Sequence, residues 1–273
     1  MSEPFPAIDR AAARRRFSRA AGTYPEAARL ESEVAARMLE RLDYVKIAPR
    51  RILDAGSGPA REGRALAARY RGAQIIALDY ALPMLPRPSR LERWLGRGVL
   101  PLCADFAQLP LAHASVQLIW CNLALHWAND ALAVFREFER VLAPEGLLMF
   151  STLGPDTLKE LRAAAGAARV HAFVDMHDLG DMLLAAGLSA PVMDMELIGI
   201  DYRAGEQLLG DLRASGQTNA RIDRRRGLSG RRFLEQFRRA PLRATFEVVY
   251  GHAWKRPQTD AAVKTVRVFK RIP

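Results

Sequence analysis

Three acids and two glycines in this chain stand where a nucleotide-like ligand could be held. In "RILDAGSGPAREG" (51–63) Asp54 closes an apolar run, and Gly56 and Gly58 follow directly. Asp79 ends the next apolar run, 25 residues after Asp54; Asp105 follows a third such run and Asn122 a fourth. Glycine permits a tight turn and lets a ligand approach the main chain, while an ionised carboxylate accepts hydrogen bonds from ribose hydroxyls. In dinucleotide-binding folds an acid about 20 residues beyond the loop does this. The glycine loop alone also fits a plain structural turn; Asp79 at a second strand end strengthens the binding reading.

The loop's chemistry narrows the ligand. A pyrophosphate wants free backbone N–H groups at a helix start. Here Ala60 stands at the place of the third loop glycine, and Pro59 removes a donor outright. The loop is therefore a poorer phosphate nest, yet it suits an adenosine carrying an amino acid and no phosphate, and S-adenosylmethionine is such a ligand.

Holding these residues together requires strands whose ends converge. From Arg51 onward strand-like and helix-like segments alternate: "RILDAG", "AQIIALD", "VLPLCAD", "SVQLIWCN" and "GLLMFSTLG" read as strands, "AREGRALAARY" and "DALAVFREFERVL" as helices, and "ALPMLPRPSRLERWLG" as an irregular helical stretch cut by prolines. Near-continuous apolar strands alternating with helices indicate a parallel sheet covered on both faces, with ligands bound beyond the strands' carboxyl ends where strand order reverses. Helices follow at "PDTLKELRAAAG" and at "VDMHDLGDMLLAAG", the second with Gly187 as its stop. "PVMDMELIGI" and "ATFEVVYGHAWK" supply a sixth and a seventh strand, and "AVKTVRVF" in the tail reads as a further short strand or an extension of the core. The first 50 residues read as mostly helical, with Ala27, Leu30, Val34, Met38 and Leu42 at helical spacing.

The bulk composition agrees with one such core or a core with an inserted lid. The chain has 273 residues, 49% of them apolar and 26% charged, as in ordinary globular proteins. No apolar run is long enough to span a membrane, and charges stand in the N-terminal stretch where a signal peptide needs an apolar centre. Glu3 and Asp9 weaken a mitochondrial-targeting reading, so a cytoplasmic protein is the expectation. Cys103 and Cys121 suggest no metal cluster and read as buried thiols. The formal charge is +11, and 36 of the 41 basic residues are arginine, with eight of them between Arg221 and Arg239 against two acids. Such a surface attracts nucleic acid, anionic membrane or an acidic protein; a solvated arginine-rich helical face is the plain alternative.

Taken together, "FSRAAGTYPEAARLE", "ILDAGSGPA", "ALDYALPML", the long stretch from "ADFAQLPL" to "LGPDTLKELR", "DMHDLGDMLLAAG" and "VYGHAWK" resemble the class I S-adenosylmethionine-dependent methyltransferases. Within that class the likeness is to the malonyl-acyl-carrier-protein O-methyltransferases of biotin synthesis and to relatives that serve assembly of respiratory complex I. The resemblance implies a Rossmann-like α/β fold, with a seven-stranded mostly parallel sheet, helices on both faces, an N-terminal helical lid and a helical insertion between strands 6 and 7. It divides the chain into a lid (1–50), a cofactor-binding core (51–200), an arginine-rich insertion (201–243) and a last strand with a basic tail (244–273).

Carried over to this numbering, the resemblance implies that Asp54, Gly56 and Gly58 line the methionine side of S-adenosylmethionine and that Asp79 accepts from the ribose. Tyr80 or Met84 borders the adenine, Asp105 with Phe106 meets its amino group, and Asn122 with Leu123 floors the pocket. Each has a plain alternative: Asp105 as a turn cap, Phe106 as core, Asn122 as a partner of local backbone. Tyr24 is the candidate that orients cofactor or acceptor from the lid, His126 and Trp127 could contact the acceptor, and Arg19 is a candidate for its carboxylate. The family commonly has threonine and glycine where "PA" stands at 59–60, and the biotin-pathway enzymes often have glutamine where His126 stands. The implied acceptor is the malonyl group on an acyl carrier protein, an acidic partner that would dock on the basic insertion 221–239, and a monomer suffices for this. Modification of a protein side chain, by methylation or hydroxylation, is the alternative; RNA methylation and a noncatalytic assembly role stand further back.

Overall fold

A computed structural model describes residues 6–88, 98–224 and 240–257. Its centre is a sheet of seven strands: β1 (Arg51–Ala55), β2 (Gln74–Asp79), β3 (Val99–Cys103), β4 (Val116–Cys121), β5 (Leu142–Leu153), β6 (Leu188–Tyr202) and β7 (Leu242–Lys255). Their order is β3-β2-β1-β4-β5-β7-β6. The five strands from β3 to β5 pair in parallel, and β7 runs antiparallel to both β5 and β6. The order reverses between β1 and β4, which opens a crevice at their carboxyl ends.

The apolar runs are continuous because both faces of the sheet are covered. Ile52, Ile75, Leu118, Trp120 and Leu147 fall in one buried cluster, and their neighbours Leu53, Leu78, Ile119 and Leu148 fall in another. Helix α3 (Arg29–Arg41) covers the first face with Leu30, Val34 and Met38, while α4 (Arg61–Arg69) adds Leu66. Helix α5 (Ala131–Val141) covers the second with Val134, Phe135, Phe138 and Val141, its N-terminus capped by the Asp130 carboxylate accepting from the Ala133 N–H. Helices α6 (Lys159–Ala165) and α7 (Met176–Ala185) follow β5, and α8 (Gly205–Ala214) lies between β6 and β7. Gly187, at φ 94°, ends the turn after α7.

The N-terminal segment is helical but divided. Asp9 caps α1 (Arg10–Ala20) by accepting from Ala12 N–H. The apolar repeat expected from Ala27 to Leu42 is broken at Ala28, which leaves the four-residue α2 (Tyr24–Ala27) separate from α3. Arg61 holds this break against the glycine loop by donating to the Pro25 carbonyl and the Ser32 hydroxyl, both at 2.9 Å. Cys121 is buried on β4, whereas Cys103, expected to be buried, is exposed. It lies on β3, an edge strand of the sheet. The proline-cut stretch forms a short 3₁₀ turn at Leu82–Met84; its residues 89–97, most of the basic insertion (225–239) and the tail strand expected at "AVKTVRVF" lie outside the described residues. No helix among the described residues is long and apolar enough to cross a membrane.

Gly56, at φ 76°, joins β1 to the loop, and a methyl group there would overlap that of Ala124 after β4. Gly56→Ala combines a left-handed backbone with a clash and should lower stability by about 2–4 kcal/mol. Gly22→Ala, where nothing lies within 4 Å, should stay within about 0.5 kcal/mol of the parent. Denaturant unfolding of both variants checks this; equal midpoints would show that the β1 and β4 loops are not packed as described.

Candidate functional site

The crevice between β1 and β4 is acidic. Asp54 ends β1 on the face that meets α4, so its Oδ2 lies 3.1 Å from where a Cβ on Gly63 would stand. It is buried, and Oδ2 has no hydrogen-bond partner. Burial drives its pKa well above the usual carboxylate range, and the charges of Glu62 and Asp79 add to this. Glu31 on α3 is buried beside it and pushed up to about 7 by burial. Glu62, in the first turn of α4, is raised for the same reason.

The glycine loop is tied to β2 through Asp79. Its Oδ2 accepts from Gly58 N–H at 3.1 Å and its Oδ1 from Ala81 N–H at 2.7 Å. Burial raises its pKa to about 6 even so, because two hydrogen bonds do not replace full hydration. Ala60 adopts φ 54° with its methyl fully buried. This is a conformation that glycine takes more cheaply, which locates the physical cost of the "PA" departure in the backbone at position 60.

The acids Asp54, Glu31 and Glu62 line one crevice of about 20 Å³ together with Tyr24, Gly56 and Asn122. Tyr24 stands at the head of α2, its ring 3.5 Å from where a Cβ on Gly58 would lie. Burial and the neighbouring acids hold its phenol well above its ordinary pKa, so it remains a hydrogen-bond donor. Asn122 donates to the Glu31 carbonyl at 2.9 Å and accepts from Ser151 Oγ at 2.8 Å. Leu123, at φ 45°, donates its N–H to Ser151 Oγ at 3.0 Å.

The adenine-side candidates form a second group. Tyr80, Met84 and Tyr24 pack around Phe17 of α1, and the Phe17 ring meets Trp127 edge-on with centroids 4.9 Å apart. Asp105 forms an ion pair with Arg10 of α1 and accepts from Ala107 N–H at 2.9 Å. It thus caps its turn while facing the lid. Phe106 packs in the core near Phe138. Arg19 is solvent-exposed in the last turn of α1 and is not brought to the crevice.

His126 and Trp127 lie in a 3₁₀ turn after β4. They line an inner cavity of about 50 Å³, which they share with His171, Arg169 and Gln217. His126, His171 and Phe173 also wall an outer cleft of about 640 Å³. Burial pushes His126 down to about 3 and His171 down to about 4, so both imidazoles are neutral near pH 7. His171 Nε2 accepts from Ala220 N–H at 2.8 Å, while His126 Nδ1 is buried with no partner.

Sequence reasoning missed Glu31, Glu62, His171, Arg169 and Gln217. Glu31 left a trace, since it stands at helical spacing with Val34, Ala35 and Met38 and so falls on the buried stripe of α3. Gln217, which donates to the Glu31 carboxylate, left none. Of the basic insertion, Arg221 pairs with Asp223 and Arg224 with Asp9. Both arginines are turned toward the fold.

The residues present fit S-adenosylmethionine on two observations. The left-handed glycine loop lets the main chain turn at the carboxyl end of β1, and the orphaned Asp54 oxygen sits among raised acids that a cationic ligand would relieve. Tyr24, Asp54, Glu31 and Glu62 could face the methionyl end, and Asp79 the ribose.

The chain is similar to known proteins in sequence and in fold. A family profile described as a methyltransferase domain matches residues 53–150. A malonyl-[acyl-carrier protein] O-methyltransferase of Methylovorus sp. is 51% identical over 94% of this chain and 92% of its own. One from Gallionella capsiferriformans is 49% identical over 96% and 98%. Among solved structures the fold is similar to YcgJ of Bacillus subtilis, with TM-score 0.59 and 18% identity over 82% of this chain and 99% of that one. It is also similar to a putative methyltransferase solved with the Haloferax volcanii Trm112 activator, with TM-score 0.57 and 17% identity over 90% and 98%. Identity and coverage of this extent place the chain in the malonyl-[acyl-carrier protein] O-methyltransferase family, among the class I S-adenosylmethionine-dependent methyltransferases.

Proposed function

We propose that this protein methylates the free carboxylate of malonyl-acyl carrier protein, giving its methyl ester. The observation that carries the reading is that Asp54 and Glu31, both buried, and the partly buried Glu62 line one crevice, an arrangement that suits a cation, while burial keeps His126 and His171 neutral near pH 7. A malonyl carboxylate is already ionised at that pH, so the acceptor needs no base. When bound, S-adenosylmethionine supplies an electrophilic methyl group on a sulfonium.

The chain's own residues bind, orient and exclude water. The acids hold the positive methionyl end, Asp79 takes the ribose hydroxyls, and Tyr24 donates from the lid. Helices α1 and α2 close the crevice, because Phe17 and Tyr24 pack onto Met84 and Tyr80. A crevice of about 20 Å³ admits about one water-sized probe; entry of an adenosyl ligand therefore requires the lid to lift and close again. Closure confines the reactants in line and keeps water from the methyl group.

Incubation of the purified protein with S-adenosylmethionine and malonyl-acyl carrier protein, followed by intact mass, should show a gain of one methylene on the carrier. No gain with folded, cofactor-bound protein would move the reading to a protein side chain as acceptor.

The acids also set a pH dependence. Glu31, raised to about 7, and Asp79, raised to about 6, hold their protons more tightly in the fold than in the unfolded chain. The ligand-free protein therefore loses stability as pH rises through about 4.5 to 7, while a cation that pairs with the ionised forms gains affinity over the same rise. Calorimetric affinity for S-adenosylmethionine should increase from pH 5.5 to 7.5 and flatten in Glu31→Gln. A flat profile in the parent would remove these acids from cation binding.

From the sequence we place docking of the acidic carrier on the arginines of 225–239, which lie outside the described residues. Charge reversal at Arg225 and Arg226 should raise KM for the carrier-bound substrate much more than for a small malonyl thioester. Equal effects on both substrates would exclude docking there.

A further inference from the structure

The outer cleft and the inner cavity share a wall made by His126, His171 and Phe173. Phe173 has no polar side-chain atom, and His171 spends Nε2 on accepting from Ala220 N–H at 2.8 Å. His126 differs from both. Its Nδ1 is buried without a partner, while the residue as a whole is only half-buried.

Resting on the reading that the acceptor is a malonyl thioester, we propose that His126 donates its Nε2–H to the thioester carbonyl, with the pantetheine arm in the outer cleft and the carboxymethyl end in the inner cavity.

Three observations lead there. The first concerns the donor atom. Burial keeps the His126 imidazole neutral near pH 7, so it carries one N–H and one lone pair. Buried N–H groups go without an acceptor more rarely than buried acceptors go without a donor, which puts the proton on Nε2 rather than on the enclosed Nδ1. The ring edge opposite Nδ1 is the Nε2–Cδ2 bond, and the rings of Trp127 and Phe173 flank the imidazole with centroids 5.6 and 5.7 Å away. The open edge of a half-buried ring is therefore the one that carries the donor.

The second is the match of each hollow to one part of the acceptor. At about 640 Å³ the outer cleft lies in the range usual for small-molecule sites. Ile8, Leu125, Phe173 and Met182 give it apolar walls, and Asp178 and Asp181 accept from amide N–H groups but disfavour an anion. An uncharged arm with amides suits it, and a carboxylate does not. The inner cavity, of about 50 Å³, holds about three to five groups the size of water, which matches a carboxymethyl group.

The third is position. Gln217 lines the inner cavity and donates to Glu31, which lines the acidic crevice with Asp54. A carbonyl fixed at His126 sets the carboxylate one methylene further in, toward the side where the methyl donor is proposed to sit.

The test measures binding, by the cofactor-loaded protein, of malonyl-pantetheine and of its carboxyethyl thioether, in which a methylene replaces the thioester carbonyl. The parent should prefer the thioester by about tenfold or more, because the thioether leaves a desolvated N–H unpaired. His126→Phe keeps a ring without the donor and should bring the two ligands within about twofold of each other, with cofactor affinity unmoved. His126→Gln restores an N–H and should keep most of the preference; it carries the comparison if the phenylalanine variant does not fold. In the parent itself, nitrogen NMR should find the His126 proton on Nε2. Ala185 is exposed and lines the outer cleft, so Ala185→Trp should weaken malonyl-pantetheine much more than malonyl S-methyl thioester. No preference in the parent, an undiminished preference in His126→Phe, or a proton on Nδ1 overturns the role of His126. Equal effects of Ala185→Trp on both thioesters overturn the placing of the arm. Failure of the parent to methylate the malonyl carrier instead overturns the choice of acceptor, because the analogue comparison reads His126 separately.

Discussion

A buried carboxylate without a counter-charge is the constraint around which this molecule is arranged. The formal charge is +11, yet Asp54, Glu31, Glu62 and Asp79 are gathered at the reversal point of the sheet and raised by their own burial. Taking ions out of water costs several kcal/mol each unless partners replace the hydration. Here the scaffold bears that cost. Asp54 is fixed by a central strand paired on both sides, Glu31 by a helix packed in the core, and Asp79 by two backbone donors. Rigid surroundings prevent the acids from turning out to solvent, and so preserve their demand for a cation.

The lid makes that demand selective. Phe17 of α1 connects Met84 on the β2 side with Trp127 on the β4 side, and Trp127 in turn meets the His171 edge with centroids 4.9 Å apart. One helix therefore touches Tyr24 on the wall of the acidic crevice and Trp127 on the wall of the inner cavity. Asn129 adds a second tie, accepting from Ile8 N–H at 2.7 Å and donating to the Ile8 carbonyl at 3.2 Å. If both reactants bind as proposed, the same segment stands over both sides and would keep water from each of them. Sealing one side at a time would leave the methyl group open to hydrolysis.

Local signals made most of the fold legible in the sequence. The apolar runs, the glycine loop and the acids at strand ends each depend on neighbours within a few residues, and the strands and the Gly187 stop follow from them. The site was legible where it hangs on those strand ends: Asp54, Asp79 and Asn122 converge because a parallel sheet aligns carboxyl ends. It was not legible where long-range packing decides. Cys103 looked buried from its apolar neighbours, but its strand lies at the sheet's edge. Gln217 reaches Glu31 across 186 positions, and no spacing rule encodes that. Arg19 was one arginine among 36, and only the packing of α1, with Phe17 inward and Arg19 outward, distinguishes it from the rest.

In the proposed reaction a sulfonium and a carboxylate become a thioether and an ester, so opposite charges disappear as the bond forms. Water stabilises separated charges more than it stabilises a transition state in which they are partly cancelled, and a dry site removes that handicap. The protein still has to gather the two ions, and in the proposed reading the acids around the crevice do so for the donor. Acids placed there would hold the donor more strongly than its product, since the thioether sulfur does not retain the sulfonium charge. Binding energy spent on charge is then largely withdrawn once the methyl group has moved.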